Sequence, residues 1–138
     1  MMKSIYIIGA GGMGIETYSI FEANGLSDCV KGFLEENCTR EGEMILDKYV
    51  YDINYILENK RLSESDAICA IGSTKRERLI TELRRKDVKF ISIIHPNSVV
   101  STHSSIEKGT IISPFVVINP LVTVRSHKNN GNVIYRYY

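Results

Sequence analysis

Ile5-Tyr6-Ile7-Ile8-Gly9-Ala10-Gly11-Gly12-Met13-Gly14 is the stretch that decides the fold of this chain. Its first four residues favour extended backbone and read as one buried strand, which the glycines then stop. Gly9, Gly11 and Gly14 stand in G-x-G-x-x-G spacing after a strand and before a helical pattern, the setting that gives this spacing meaning. Glycine lets the backbone turn tightly and approach a phosphate. The start of the next helix adds unpaired N–H groups and the positive end of its dipole. The same residues also suit a plain strand-to-helix turn without ligand, so both readings stay open.

Outward from this loop, residues 13–24 read as a helix with Ile15, Tyr18, Ile20 and Phe21 on one side and Gly25 closing it. Residues 29–34 read as a second strand ending in Glu35-Glu36-Asn37, and the charged stretch 37–48 as loop. A short helix is expected over 51–59 and a third strand over 66–71, stopped by Gly72-Ser73. Residues 74–87 form the clearest helix, with Leu79, Ile80 and Leu83 facing inward, and 90–94 a fourth strand broken by His95-Pro96. Strands alternating with helices argue for a Rossmann-like parallel sheet with helices on its faces.

Beyond Pro96 the period changes. Ile94, Val100, Ile106, Ile112, Ile118 and Val124 recur every sixth residue. Ser98, Ser104, Thr110, Val116 and Val122 each precede one of the last five by two. That double column marks a hexapeptide β-helix, with the aliphatic residue inside the coil and the small one at its corner. The register fails at Asn130 and Arg136. The organisation expected is therefore α/β: residues 1–96 a nucleotide-binding unit, 97–126 the first coils of a left-handed parallel β-helix, and 127–138 an irregular tail.

Composition narrows the function. With 43% hydrophobic and 24% charged residues among 138, the chain reads as globular. A net charge of +1 gives no reason to expect nucleic acid or a membrane as partner. Cys29, Cys38 and Cys69 have neither C-x-x-C spacing nor an even count, so neither a disulfide framework nor a metal site is indicated. After Met-Met-Lys-Ser the apolar run Ile5 to Ile8 is too short, and too quickly followed by Gly9, for a secretory signal, and the cytoplasm is the expected compartment.

Five motifs in order resemble the bacterial sugar acetyltransferases with a PglD-type N-terminal domain. They are Ile7 to Gly14; Gly32-Phe33-Leu34-Glu35-Glu36; Ala70-Ile71-Gly72 followed by Arg78; Ile93-Ile94-His95-Pro96 with Ser98; and the hexapeptides. The resemblance implies a homotrimer that holds a UDP-sugar in the N-terminal domain and acetyl-CoA on the β-helix, and transfers the acetyl group to an amine or hydroxyl of the sugar. It also implies a base in a His–acid pair, which this chain lacks. The chain is therefore expected to behave as a truncated relative with little or no transferase activity and weak or altered oligomerisation. Histidine is common in the family where Met13 stands here. The alternatives are a non-catalytic sugar-nucleotide-binding module and a small NAD-binding oxidoreductase.

The expected substrate-binding residues are Gly9, Gly11, Gly12, Met13, Gly14, Glu35, Glu36, Gly72, Ser73 and His95. Glu35, about 20 residues past Gly14, stands where a dinucleotide site places its ribose-binding acid. Glu35 and Glu36 read equally as acceptors for ribose or base and as a solvated strand end. Gly72 and Ser73 lie at the carboxyl end of a strand, where ligands of open α/β sheets sit. Lys75 and Arg78 are read as ordinary charged surface ahead of diphosphate contacts. His95 is read as a structural residue near the sugar or a turn cap; His103 and His127 as surface; Ser101, Ser104 and Ser105 as corner residues; and Tyr135, Tyr137 and Tyr138 as tail or packing residues. No catalytic residue is assigned.

Overall fold

The computed structural model describes residues 4–59, 62–72, 74–125 and 133–134. Strands β1 (Ile5–Ile8), β2 (Val30–Glu35), β4 (Lys48–Asp52), β5 (Asp66–Cys69) and β6 (Lys89–Phe90) are parallel, and β3 (Met44–Ile45) adds antiparallel to β4. Their order is β3-β4-β2-β1-β5-β6, which places the parallel strands as in a doubly wound nucleotide-binding sheet. The order reverses between β1 and β5, so a crevice opens there at the strands' carboxyl ends.

Both faces of the sheet are covered, and the alternation along β1 shows how. Ile5 and Ile7 join Tyr18, Ile20 and Phe21 of helix α1 (Gly12–Ala23), whereas Tyr6 and Ile8 join residues of α2 (Ile53–Asn59) and α3 (Lys75–Arg85). The register of β1 on β2 shifts at Lys31, so Val30 and Phe33 face α1 together despite their odd spacing. Tyr18 packs edge-on against Phe33 at 5.9 Å, and its hydroxyl donates to Asp47 at 2.5 Å. Burial pushes the Tyr18 hydroxyl up and the same bond holds Asp47 down from their ordinary values. Gly25 ends α1 at φ +71, its N–H bonded to the Glu22 carbonyl while that of Leu26 bonds Phe21, a closure that suits glycine.

Past β6 the chain winds into a three-sided coil. β7 (Ile93–Ile94), β8 (Val99–Val100) and β9 (Ser105–Ile106) pair in parallel with β10 (Ile111–Ile112), β11 (Val117–Ile118) and β12 (Thr123–Val124). Ile112, Val116 and Ile118 are buried inside with Ile94, Val100, Ile106 and Val124 against them, as the six-residue column requires. The small-residue column has a chemical reason. The hydroxyls of Ser98, Ser104 and Thr110 donate to the carbonyls of His95, Ser101 and Glu107 at 2.6, 2.5 and 2.6 Å, closing three successive corners.

Several expectations are corrected. Ile15 is 39% exposed; the inward face of α1 begins with Gly14 and Thr17 and continues through Tyr18, Ile20 and Phe21, because the helix lies too close to β1 for a larger residue at its start. The stretch 37–48 holds a hairpin, β3 and the start of β4, and Tyr51 and Asp52 extend β4 before the helix begins at Ile53. The expected strand over 90–94 is two strands of different sheets: Ile91 still bonds Ala67 in the first, while Ile93 bonds Thr110 in the coil. The coil thus starts ahead of residue 97, and Ile93 and Ile111 share the core beneath α1. The six-residue register is lost after Val124, as expected, but the stretch 127–138 read as an irregular tail holds a further strand. Val133–Ile134 (β13) pairs with β10, and the step from Ile112 to Ile134 is four residues longer than that from Ile94 to Ile112. His127, Asn130, Tyr135, Arg136, Tyr137 and Tyr138 lie outside the described residues.

Candidate functional site

The glycine loop joins β1 to α1 at the switch crevice. Gly9 has φ +112, and a Cβ there would stand 2.6 Å from the Ala70 carbonyl oxygen. Its N–H donates 2.8 Å to Leu34, so the loop is tied to β2 and crowded against β5. Gly14 lets the helix approach: a Cβ on it would stand 2.0 Å from the Gly9 oxygen. Gly11 and Gly12 differ in kind. A Cβ on either meets nothing within 4 Å, and both residues are exposed. Two of the glycines therefore serve packing, and two leave open the concave side of the loop.

The first helical bond runs from the Ile15 N–H to the Gly11 carbonyl at 3.0 Å. The N–H groups of Gly12, Met13 and Gly14 precede it in the first turn, which carries no acidic side chain. Amide donors and a positive dipole end, without a competing carboxylate in that turn, form a cradle for an anion. Met13 reaches across the crevice, its methyl carbon 2.8 Å from where a Cβ of Gly72 would stand. Gly72 is exposed at the end of the β5 segment, and Ser73 lies outside the described residues.

Glu35 and Glu36 end β2 beside the loop, but neither offers a bare carboxylate. The Arg40 Nε donates to Glu35 Oε1 at 2.7 Å, its Nη2 stands 2.5 Å from the same oxygen, and Nη2 also donates to the Ala10 carbonyl at 2.8 Å. Arg78 Nη2 pairs with Glu36 at 2.8 Å, and Arg78 Nη1 pairs with both Glu82 oxygens at 3.1 and 3.0 Å. The hydrogen bond that Arg40 donates to Glu35 holds its guanidinium above its ordinary value, and those that Arg78 donates to Glu36 and Glu82 do the same for Arg78. Arg78, read from sequence as ordinary surface, is thus engaged with the acidic pair.

Arg40 is the residue sequence reading missed. It lies in the segment set aside as loop, and its contact with Ala10 spans 30 positions, so no local pattern announces it. Arg76 is another: from the start of α3 it donates to the Cys69 carbonyl at the end of β5 and, at 3.1 Å, to Gly109 in the coil. Burial raises the Cys69 thiol above its ordinary value, which keeps it an inert protonated packing group.

The structure brings Gly9, Gly11, Gly12, Met13, Gly14, Glu35, Glu36 and Gly72 together around one crevice. It does not bring His95 there. Ile94 accepts a 3.0 Å bond from Asn24 at the far end of α1, so His95 lies about 18 Å along that helix from Gly12. There it closes a coil corner: its Nδ1 accepts from the Asn97 N–H at 2.9 Å and its carbonyl from the Ser98 hydroxyl at 2.6 Å. Among the described residues no group of His, Cys, Asp and Glu could hold a metal ion, and no helix is long and apolar enough to cross a membrane.

Known proteins share these features. The family model of the PglD N-terminal domain matches residues 4–83. In sequence the chain is 30% identical over 115 residues to the GDP-perosamine N-acetyltransferase of Escherichia coli, a match spanning 82% of this chain and 52% of that protein. The chain thus spans about half the length of this curated relative. In fold it is similar to PerB of Caulobacter crescentus, solved in complex with CoA and GDP-perosamine: TM-score 0.77, 21% identity, covering 98% of this chain and 61% of that one. The acetyltransferase domain of PglB from Neisseria gonorrhoeae gives a TM-score of 0.73 at 21% identity, covering 96% of this chain and 62% of that domain.

Proposed function

The chain belongs to the PglD N-terminal domain family, and on that premise we propose that it binds a nucleotide-linked amino sugar as the acceptor-holding part of an acetyl-CoA-dependent sugar N-acetyltransferase. The observation that carries this reading is the open concave side at Gly11 and Gly12, set between two packing glycines at the sheet's switch point and followed directly by a hexapeptide coil. The amides there suit the diphosphate, and the crevice toward Gly72 suits the groups beyond it.

The nucleotide proposed is guanosine diphosphate, in place of the UDP expected from sequence, because the E. coli relative and the C. crescentus neighbour are both named with GDP-perosamine. In the reaction the sugar amine attacks the thioester carbonyl of acetyl-CoA, an amide forms, and the thiolate of CoA leaves while the amine loses a proton. This chain's part is to hold and orient the acceptor; none of its residues is assigned as the base. The cytoplasm is the compartment proposed, as expected from the sequence.

We also propose that copies of the chain associate weakly through the outer face of β8 and β11. Val99 and Val117 are register partners there and are 66% and 64% exposed, with Phe115 and Leu121 exposed at neighbouring corners. Apolar residues gathered on one face mark an association surface.

Calorimetric titration of the whole chain with GDP-perosamine, UDP-linked amino sugar, NAD and CoA tests the reading. Saturable heat is expected from the GDP-sugar, and less from the uridine compound. Preference for NAD, or no heat from either sugar nucleotide, overturns it.

A further inference from the structure

The two acidic residues at the end of β2 were candidates for direct contact with ribose or base, yet each is occupied by an arginine, and the two arginines are held differently. Arg78 spends Nη2 on Glu36 and Nη1 on both oxygens of Glu82, so both ends of its fork are committed. Arg40 spends Nε and Nη2 on Glu35 and the Ala10 carbonyl, and no described residue accepts from its Nη1. Its side chain is 36% exposed. The guanidinium is thus fixed on one edge and open on the other, beside the residue that precedes Gly11.

The contact with Ala10 has a second effect. The Ala10 carbonyl is a negative dipole end lying against the amide cradle, where it would repel an anion. Arg40 donates to that oxygen and so offsets its negative dipole end. Glu35 supplies the geometry: as a carboxylate bonded through one oxygen to two guanidinium nitrogens, it holds the cation in place.

We propose that Arg40 is the diphosphate-facing cation of this site, held there by Glu35, so that Glu35 acts as a positioning residue and not as a ribose acceptor. This rests on the nucleotide-sugar reading above and adds to it which side chain selects the diphosphate over an uncharged nucleoside. Nη1 keeps both its N–H donors for phosphate oxygens while Nε and Nη2 hold the protein, a division of roles that a single ammonium cannot make.

The test is calorimetric titration of the full chain with GDP and with guanosine, for the native protein, Arg40→Lys and Arg40→Gln. Losing one charge-assisted contact lowers affinity about 10- to 100-fold. Arg40→Gln is therefore expected to weaken GDP by that factor and guanosine by less than about twofold. Arg40→Lys, which keeps the charge but cannot hold Glu35, the Ala10 carbonyl and a phosphate at once, is expected to fall between, and it carries the comparison if Arg40→Gln does not fold, as judged from its melting curve. An unchanged GDP affinity in the variants overturns the role of Arg40 while the nucleotide reading stands. A parallel loss of GDP and guanosine also overturns it, since Arg40 would then support only the loop. Absence of GDP binding in the native protein overturns the nucleotide reading, and this inference with it.

Discussion

The carbonyl oxygen of Gly9 and the α-carbon of Gly14 are packed so closely that a Cβ on Gly14 would stand 2.0 Å from that oxygen. Backbone is the obstacle, so no rotamer change relieves the clash. Gly14→Ala must move helix α1 off β1 and is expected to cost about 1–3 kcal/mol or more of stability. Gly12→Ala meets nothing within 4 Å and replaces glycine in a helix, so its stability is expected to stay level or rise by up to about 1 kcal/mol. Urea unfolding of the two variants checks the contrast; equal destabilisation would contradict it.

Gly12→Ala also separates folding from binding. Its methyl enters the open side of the loop, so affinity for a GDP-sugar is expected to fall at least about tenfold with the melting temperature unchanged. Unchanged affinity would place the ligand elsewhere.

How far the sequence could be read depended on whether the signal was local. The column from Ile94 to Val124 carries its own period, and the corner hydroxyls of Ser98, Ser104 and Thr110 lie within the same hexads, so the coil was legible. The glycine loop was legible for the same reason. The hairpin of β3 and β4 was not, because β3 has only two residues, follows the charged Arg40, Glu41 and Glu43, and leaves no alternation to see. Nor was the return of the coil at Ile134, since a four-residue longer step hides it from a six-residue count. Arg40 meets Ala10 only through the tertiary fold. His95 was read either as a residue near the sugar or as a turn cap; the corner bonds to Asn97 and Ser98 favour the second.

Stability should fall at both ends of the pH range through one contact, Tyr18 with Asp47. The Asp47 carboxyl lies below its ordinary value when folded, chiefly because Tyr18 donates to it. Its contribution is complete above the unfolded value near pH 4 and is lost as pH falls through the lower folded value. Tyr18 lies above its ordinary value, chiefly through burial, so the unfolded chain ionises first and stability drops as pH rises past about 10. Asp47→Asn is expected to flatten the acid limb relative to the native protein, read from urea midpoints between about pH 2 and 5; an unaltered limb would contradict the coupling.

Ser92 stitches the sheet domain to the coil, its hydroxyl accepting from the Thr110 N–H at 2.9 Å and donating to the Glu107 carbonyl at 3.2 Å. Thr110 is fully buried, so Ser92→Ala strands its N–H and is expected to cost about 1–3 kcal/mol in urea unfolding. A change below about 0.5 kcal/mol would mean the amide finds another partner.

Val99→Asp places a charge in the middle of the exposed β8–β11 face. The native chain is expected to show concentration-dependent association in sedimentation, and the variant to stay a monomer with unchanged circular dichroism. A native monomer at every concentration would remove the proposed association.

The open amides at the start of α1 are best interrogated one by one. With 15N-labelled protein and added GDP, the amide resonances of Gly11, Gly12, Met13 and Gly14 should shift together and saturate, while those of Asn97 and Ser98 at the far end of the helix stay in place. Saturable shifts confined to other residues, or none at all, would contradict phosphate binding by this loop.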